Sequence, residues 1–528
     1  MLALITSGVV AAGHPLSAEA GAEVLRDGGN AVDAAVAAVL MSFAAESALT
    51  GPGAGGFMLV HTADGEDHLL DFFVAAPGLG GAQGEPAALL PVEIRFSDEA
   101  AQVFHVGPAS CGVPGTPLGL AEAAQRFGTA SLAELTAPAA RAAREGVEVT
   151  PVQAYLLELL GPIMRSSAEC AAVYEPDGRP LRVGERVRLP ELGTWLERFG
   201  AEGPDFVYRG DVGAALAAWV GERGGALSAA DLDAYRVESR PPARALYRGR
   251  EILTNPPPSS GGILVTYALD LLGRIDRPGD VEVLVEVMES AGRARTADFA
   301  AGLYADGYLE RFMAVEALEG AAGEVSARLG AGGAVAPRGT RPDSRLGSTT
   351  HISVLDDQGA CVSVTCSNGS SSGVVVPGTG VHLNNMLGEQ DLNPLGFGRQ
   401  EPGRRVSSMM APAVVLRDGV PEAAIGSAGS NRIRSAILQT ILALVDERVP
   451  AEVAVARPRL HVEGGVVEAE PGVDPRVLDA LERRGRPVRR WRERNLYFGG
   501  VQAAARDPET GALSGGGDPR RGGAAVVV

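Results

Sequence analysis

No lysine occurs among the 528 residues, so all 47 basic side chains are arginines. Without a lysine there is no Schiff-base amine, no pyridoxal-phosphate anchor and no phosphate-loop ammonium. Cysteine is scarce as well. The four present, Cys111, Cys170, Cys361 and Cys366, form no CxxC pair, which argues against a disulfide scaffold or a zinc ribbon. The seven histidines are scattered, with no HExxH and no close pair, so no metal site is expected. No run of 18 apolar residues occurs, and "AVDAAVAAVLMSFAAES" is interrupted by Asp33, too short and too polar to span a bilayer. The opening "MLALITSGVVAAGHPLSAEAG" lacks a basic n-region and reads as a strand, not a signal peptide. These absences lead to the expectation of a soluble, cytoplasmic protein. Acidic residues outnumber basic ones by 65 to 47, a net charge of −18, which disfavours nucleic acid and anionic membrane as partners.

What is present has the balance of a large globular α/β chain, with 45% hydrophobic residues. "PLSAEAGAEVLRDGGN" predicts a helix closed by Gly28 and Gly29. Asn30 then caps a nearly all-apolar helix with Asp33 in its first turn. "GFMLVHTADGEDHLLDFF" predicts a hairpin about Asp64-Gly65. From about 115 to 330 the pattern is mostly helical, interrupted by "NPPPSSGG". The Gly-, Ala-, Pro- and Arg-rich stretch at about 317–345 reads as an exposed linker. Strand patterns return in "THISVLDD", "ACVSVTC", "GVHLNN" and "APAVVLRDG". A helix at about Asn431–Asp446 and a final hairpin in "VQAAARDPETGALSGG" follow. Strands at both ends of the chain with helices between predict α+β layers shared by the two ends.

Two motif matches fail their context. "GPGAGG" at Gly51–Gly56 fits G-x-G-x-x-G, but it follows a helix and opens a strand, the reverse of a dinucleotide fingerprint. A tight turn or close backbone approach is the better reading. "GSSSG" at Gly369–Gly373 fits G-x-S-x-G with Ser371 central, but "VVVPGTG" after it cannot supply the helix of a nucleophile elbow.

Thr349 raises a different chemistry. It follows Gly347-Ser348 and heads a strand pattern. If the chain were cut before it, Thr349 would carry a hydroxyl and a free α-amine of reference pKa about 8. That amine can accept the hydroxyl's proton at neutral pH, with no histidine involved. The plain alternative is a threonine at a strand start, favoured by β propensity, and this segment alone leaves both open.

The wider sequence resembles the γ-glutamyltransferase (γ-glutamyltranspeptidase) family of N-terminal-nucleophile hydrolases over nearly its whole length. The resemblance is carried, in order, by "GGNAVDAAVA" at Gly28–Ala37, "GPGAGGFMLV" at Gly51–Val60, "VPGTPLGL" at Val113–Leu120 and "NPPPSSGGI" at Asn255–Ile263. It continues through "TTHISVLD" at Thr349–Asp356, "HLNNM" at His382–Met386, "SSMMAP" at Ser407–Pro412, "GSAGSNRI" at Gly426–Ile433 and "GDPR" at Gly517–Arg520. The resemblance implies an α+β fold of the four-layer αββα sandwich type, made as a proenzyme. Self-cleavage between Ser348 and Thr349 would give a large subunit, 1–348, and a small subunit, 349–528, sharing one core and staying associated. Thr349 would be the nucleophile, and Ser367 stands where the family carries a second threonine. Gly429 and Ser430 match the Gly-Gly oxyanion hole, and Ser407 and Ser408 match a pair that holds the substrate α-carboxylate. No cofactor and no metal are implied, because the terminal amine supplies the base.

The departures from the family concern specificity. Phe73 occupies the place of the carboxylate-binding arginine, and a phenyl ring cannot form a charge-assisted fork. Met386 replaces a Gln or Glu, Glu389 replaces an Asp, and Asn368 stands one position from where the family's asparagine is expected. The segment from Glu389 to Ser407 is also shorter than in many relatives, which predicts an open pocket. The leading expectation is a self-processing amidase or acyltransferase acting on a small γ-glutamyl or other N-acyl amide, with water or an amine as acceptor. The alternatives are an acylase for non-glutamyl N-acyl amides, a non-catalytic binding or scaffold relative, and an esterase working through Ser371.

Overall fold

The computed structural model describes residues 6–81, 86–97, 100–331 and 349–528. Thirteen strands build the centre. They are β1 (Gly8–Ala12), β2 (Gly55–His61), β3 (Asp67–Phe72), β4 (Glu238–Arg240), β5 (Ala243–Tyr247), β6 (Arg250–Thr254), β7 (Thr350–Asp356), β8 (Cys361–Ser367), β9 (Ala413–Arg417), β10 (Val420–Ala428), β11 (Gly500–Arg506), β12 (Leu513–Gly517) and β13 (Ala524–Val527). One antiparallel sheet runs β13-β1-β7-β8-β2-β3-β4, and a second runs β12-β11-β10-β9-β6-β5. Both sheets mix strands from before and after Thr349.

Side-chain alternation assigns the faces. From β7, His351, Ser353 and Leu355 point toward the second sheet. The Ser353 hydroxyl donates to the Gln502 carbonyl at 3.0 Å, and the Ser363 hydroxyl donates to that of Ile425 at 3.0 Å. His351 bridges Thr365 and Ser353 at 2.7 and 2.9 Å. A Cβ on Gly426 would lie 2.2 Å from its ring, so only glycine fits there. Burial pushes the His351 imidazole down to about 3, which keeps it neutral and makes it a packing residue between the sheets.

Ile352 and Val354 face the other way, onto α1 (Pro15–Arg26) and α2 (Ala31–Ala45). Beyond the second sheet, α3 (Ser260–Ile275), α4 (Val281–Arg293), α5 (Val315–Ala331) and α6 (Arg432–Val445) complete the outer layer. The order is helix, sheet, sheet, helix: a four-layer αββα sandwich. Among the described residues, no helix is long and apolar enough to cross a membrane.

Two sequence expectations are corrected. The linker expected over 317–345 is helical through Ala331, in α5; the remainder lies outside the described residues. Leu318, Ala322, Val325 and Leu329 are buried at helical spacing against the second sheet's helices, while Gly320, Gly323 and Gly330 face open space. The glycine and alanine content hid a real apolar stripe. The stretch expected to be mostly helical also contains β4, β5 and β6, which extend both sheets.

The α2 cap is as the sequence predicted and does more than end a helix. Asn30 and Asp33 form a capping box. The fully buried Asp33 carboxylate also accepts from Thr129 N–H and Oγ1 and from Ala130 N–H. Asp33→Ala strands these buried donors and is expected to cost about 3 kcal/mol, measured as a lowered denaturant midpoint. A loss within 1 kcal/mol of zero would contradict that role.

Candidate active site

The site forms where β7 begins and β8 ends. Thr350 pairs with Cys366, so the antiparallel register sets Thr349 opposite Ser367. The Ser367 hydroxyl accepts the Gly369 N–H at 2.8 Å. A cleft of about 400 Å³ opens here, lined by Thr349, Ser367, Phe73, Met386, Glu389, Ser408 and Ser430. Seven of the side chains named from sequence therefore meet at one place, although they are spread from position 73 to position 430.

The loops reach this point through mutual hydrogen bonds. Asn384 donates to the Gly53 and Gly112 carbonyls at 2.8 and 3.0 Å and accepts from Gly112 and Met386 N–H. A Cβ at Gly53 would sit 2.1 Å from the His382 carbonyl. "GPGAGG" is thus a close backbone approach, with no nucleotide geometry. The "NPPPSSGG" loop cradles the 408–410 segment. Ser260 N–H donates to Ser408 O at 2.8 Å and Asn255 Nδ2 donates to Met410 O at 3.1 Å, and a Cβ on Gly261 would lie 2.1 Å from Met409 O. Gly429 and Ser430 adopt φ of 125° and 52° immediately before α6. The turn stands at a helix start, where negative charge is favoured.

Other predicted residues stand back from the cleft. Ser407 and Gly429 are buried or adjacent but are not part of its lining. Asn368 is fully buried beside Gly51, and its side-chain amide makes no hydrogen bond among the described residues. Ser348 lies outside the described residues.

Among the described residues, the lining carries two carboxylates and no arginine. Glu389 accepts from Ser370 N–H at 2.9 Å and Ser370 Oγ at 2.6 Å. Asp391, which the sequence reading missed, accepts from Ser430 Oγ at 2.6 Å. Leu392, Met409, Met410 and Ile433 also line the cleft and were missed. Phe73 has no exposed surface and stacks on Phe57 with ring centroids 5.3 Å apart. Arg405, close in sequence to Ser407, is turned away. It donates to the carbonyls of Phe73, Asp71 and Arg236 and pairs with Asp71 at 3.2 Å. Arg404 pairs with Glu401 and lies over Tyr304. Neither arginine replaces the one absent at position 73.

Ser371 has an unexpected partner. Its hydroxyl meets His382 Nε2 at 2.5 Å, and its φ is 79°. It is nevertheless fully buried, lies outside the cleft lining and is followed by the short strand pair Val375–Val376 and Val381–His382 instead of a helix. Among the described residues no carboxylate orients this histidine; its other nitrogen faces Tyr174 Oη at 3.4 Å. The pair fastens a loop.

A model of the gamma-glutamyltranspeptidase family matches residues 17–528. The chain belongs to the gamma-glutamyltranspeptidase family. It is therefore an enzyme of the N-terminal-nucleophile hydrolase class. It is 35% identical to the acylase ACY 1 proenzyme of Pseudomonas sp. (strain SE83), over 99% of this chain and 93% of that one. It is 31% identical to the glutathione hydrolase proenzyme of Bacillus subtilis (strain 168), over 99% and 91%. Among solved structures, the cephalosporin acylase from Bacillus halodurans superposes with a TM-score of 0.81 at 26% identity, covering 99% of this chain and 96% of that one.

On the opposite face of β7 from the cleft, the Thr350 hydroxyl donates to Glu46 at 2.9 Å. Burial pushes the Glu46 carboxyl up to about 7, against the opposing effects of the Thr350 hydrogen bond and of Arg521. Between pH 4.5 and 7 the folded state keeps a proton that the unfolded chain has released, so stability falls as pH rises through that window. The full effect is about 3 kcal/mol. Glu46→Gln is expected to flatten this part of the stability–pH curve. Parallel curves for variant and wild type would contradict it.

Proposed function

We propose that the protein is a self-processing N-acyl amidase in which Thr349 is both the residue that releases itself and the catalytic nucleophile. Its hydroxyl attacks the Ser348 carbonyl, the amide C–N bond breaks and the hydroxyl proton passes to the departing nitrogen, which frees the Thr349 amine; hydrolysis of the resulting ester then releases the Ser348 carboxylate and restores the hydroxyl. In the mature enzyme that amine takes the hydroxyl proton as Oγ1 attacks the substrate carbonyl. The Gly429–Ser430 turn receives the oxyanion. Collapse expels the amine product with the transferred proton and leaves an ester on Thr349, which water or a second amine resolves. The alternation of strands from both sides of Thr349 within each sheet supports two fragments that stay together after cleavage.

The observation that carries the substrate reading is Phe73, stacked on Phe57, in a cleft whose described lining holds no arginine. A γ-glutamyl head group brings an α-carboxylate and an α-ammonium, and each needs a partner once desolvated. Ser408 offers only neutral hydrogen bonding to the carboxylate, about half as strong as a charged contact. The two acids are engaged by Ser370 and Ser430. Met386, Met409 and Met410 present polarisable apolar surface. The preferred donors on this reading are N-acyl amides without an amino-acid head group, such as glutaryl or more apolar acyl amides. Identity to an acylase proenzyme points the same way.

Thr349→Ala is expected to remain a single inactive chain, while wild type yields a small fragment beginning Thr-Thr-His on N-terminal sequencing. Cleavage at that bond in Thr349→Ala would contradict self-processing by this hydroxyl. Ser371→Ala should cost far less activity, and an equal loss there would revive the esterase alternative.

Loss of one arginine contact is worth about 2–4 kcal/mol, roughly 30- to 1,000-fold in kcat/KM. In a matched panel of 4-nitroanilides, wild type is expected to favour glutaryl over γ-glutamyl. Phe73→Arg should move that ratio toward γ-glutamyl and lower the unfolding midpoint, because the stack on Phe57 is lost. A hundredfold γ-glutamyl preference in wild type would overturn the apolar-pocket reading.

A further inference from the structure

Two residues beside the nucleophile depart from what a glycine-built turn would require, and they touch each other. Ser430 holds φ of 52°, a left-handed conformation that side-chain-bearing residues adopt at a cost and that glycine adopts freely. Its hydroxyl donates to Asp391 at 2.6 Å. The other Asp391 oxygen accepts from Asn431 Nδ2 at 3.3 Å and lies 4.0 Å from the Arg295 guanidinium. Asn431 also donates to Glu463 at 3.0 Å, and Glu463 pairs with the same Arg295 at 3.6 Å. The turn that starts α6 is thus tied at two consecutive side chains to one buried carboxylate. The segment bearing Asp391 is itself fixed, because Asn393 Nδ2 donates to the Met386 and Glu389 carbonyls at 3.0 and 2.8 Å.

We infer that Asp391 is a positioning residue for the oxyanion turn, holding Ser430 in its left-handed conformation so that the turn's N–H groups stay aimed at the carbonyl being attacked. This rests on the Thr349 acyl-transfer reading. A hydrogen bond from a hydroxyl to a carboxylate is among the stronger kinds, and here it offsets the strain that a side chain introduces at this φ. Without the carboxylate, Ser430 is free to relax toward ordinary φ, which rotates the peptide groups on either side of it. Catalysis depends on donors fixed before charge develops, so the loss falls on the chemical step. The rival role for Asp391, a direct partner for a cationic group on the substrate, would fall on substrate binding instead and would not depend on the residue at 430.

A double-mutant cycle separates these roles, using Asp391→Ala, Ser430→Gly and the pair, with glutaryl-4-nitroanilide as probe and fully matured protein by mass. Asp391→Ala alone is expected to lower kcat tenfold or more, with KM changed by less than about threefold. In the Ser430→Gly background the same substitution should cost less than threefold in kcat, because glycine needs no hold at that φ. Asp391→Asn, whose amide oxygen still accepts from Ser430, should recover most of the kcat lost in Asp391→Ala. If Asp391→Ala does not fold or mature, Asp391→Asn takes its place in the cycle, with a smaller loss that again vanishes in the Ser430→Gly background. Equal losses in both backgrounds, or an effect confined to KM, overturn the inference. The parallel Thr349→Ala measurement distinguishes the two levels. Activity surviving there overturns the nucleophile reading and this inference with it, whereas activity lost there together with an additive cycle overturns this inference alone.

Discussion

The pairing of β7 with β8 sets everything else at the site. Thr350 opposite Cys366 leaves Thr349 opposite Ser367 at the point where both strands end. The period-two alternation then turns consecutive hydroxyls to opposite faces. Thr349 lines the cleft, and Thr350 is anchored to Glu46 in the helix layer behind. A one-residue slip of β7 would exchange these faces and drive His351 out of its place between the sheets. The bond of His351 to Thr365 on β8, and those of Ser353 and Ser363 across that interior, oppose such a slip. The sheet therefore holds one hydroxyl at the cleft, whose described lining includes no histidine.

On the proposed function, chemistry and specificity around that fixed point fall to different loops. The turn before α6 and the end of β8 supply groups that could serve any acyl transfer. The residues that would choose the acyl group come from the end of β3, the turn at 386–392 and the 408–410 segment. These segments are bound to each other through main-chain carbonyls: those of Gly53 and Gly112 by Asn384, those of Met386 and Glu389 by Asn393, and that of Phe73 by Tyr235 and Arg405. Side chains facing the cleft can change while the backbone scaffold stays. An apolar residue at position 73 in an otherwise familiar framework has this character. Arg405 is close in sequence, yet it is spent on holding the backbone of that same strand.

Much of this was legible from sequence wherever a residue type answers to a local rule. The α2 cap, the Asp64-Gly65 turn, the strands at 350–367 and the helix after Ser430 follow from capping, turn and alternation patterns. The β5–β6 hairpin was not, because its turn is Arg248-Gly249 with φ of 49° and 73°. An arginine seldom occupies that region, so the usual Asn-Gly or Asp-Gly signal is missing. The α5 helix was obscured by glycines on its solvent face. Within the site, the predicted residues came from a family pattern, whereas Asp391 obeys no pattern. Its role depends on the backbone angle at Ser430, which only the folded chain displays. The Ser371–His382 pair was likewise invisible in sequence, and burial gives it a structural role that a motif match would have misread.

The central claim is that the acyl group passes through Thr349. The most direct measurement is acid quench of the enzyme during turnover of glutaryl-4-nitroanilide, followed by digestion and mass spectrometry of the peptides. The account predicts one glutaryl adduct, on the peptide that begins at Thr349, and none in Thr349→Ala. An adduct on the Ser371 peptide, or rapid turnover with no adduct on the Thr349 peptide under conditions where deacylation limits the rate, would contradict it.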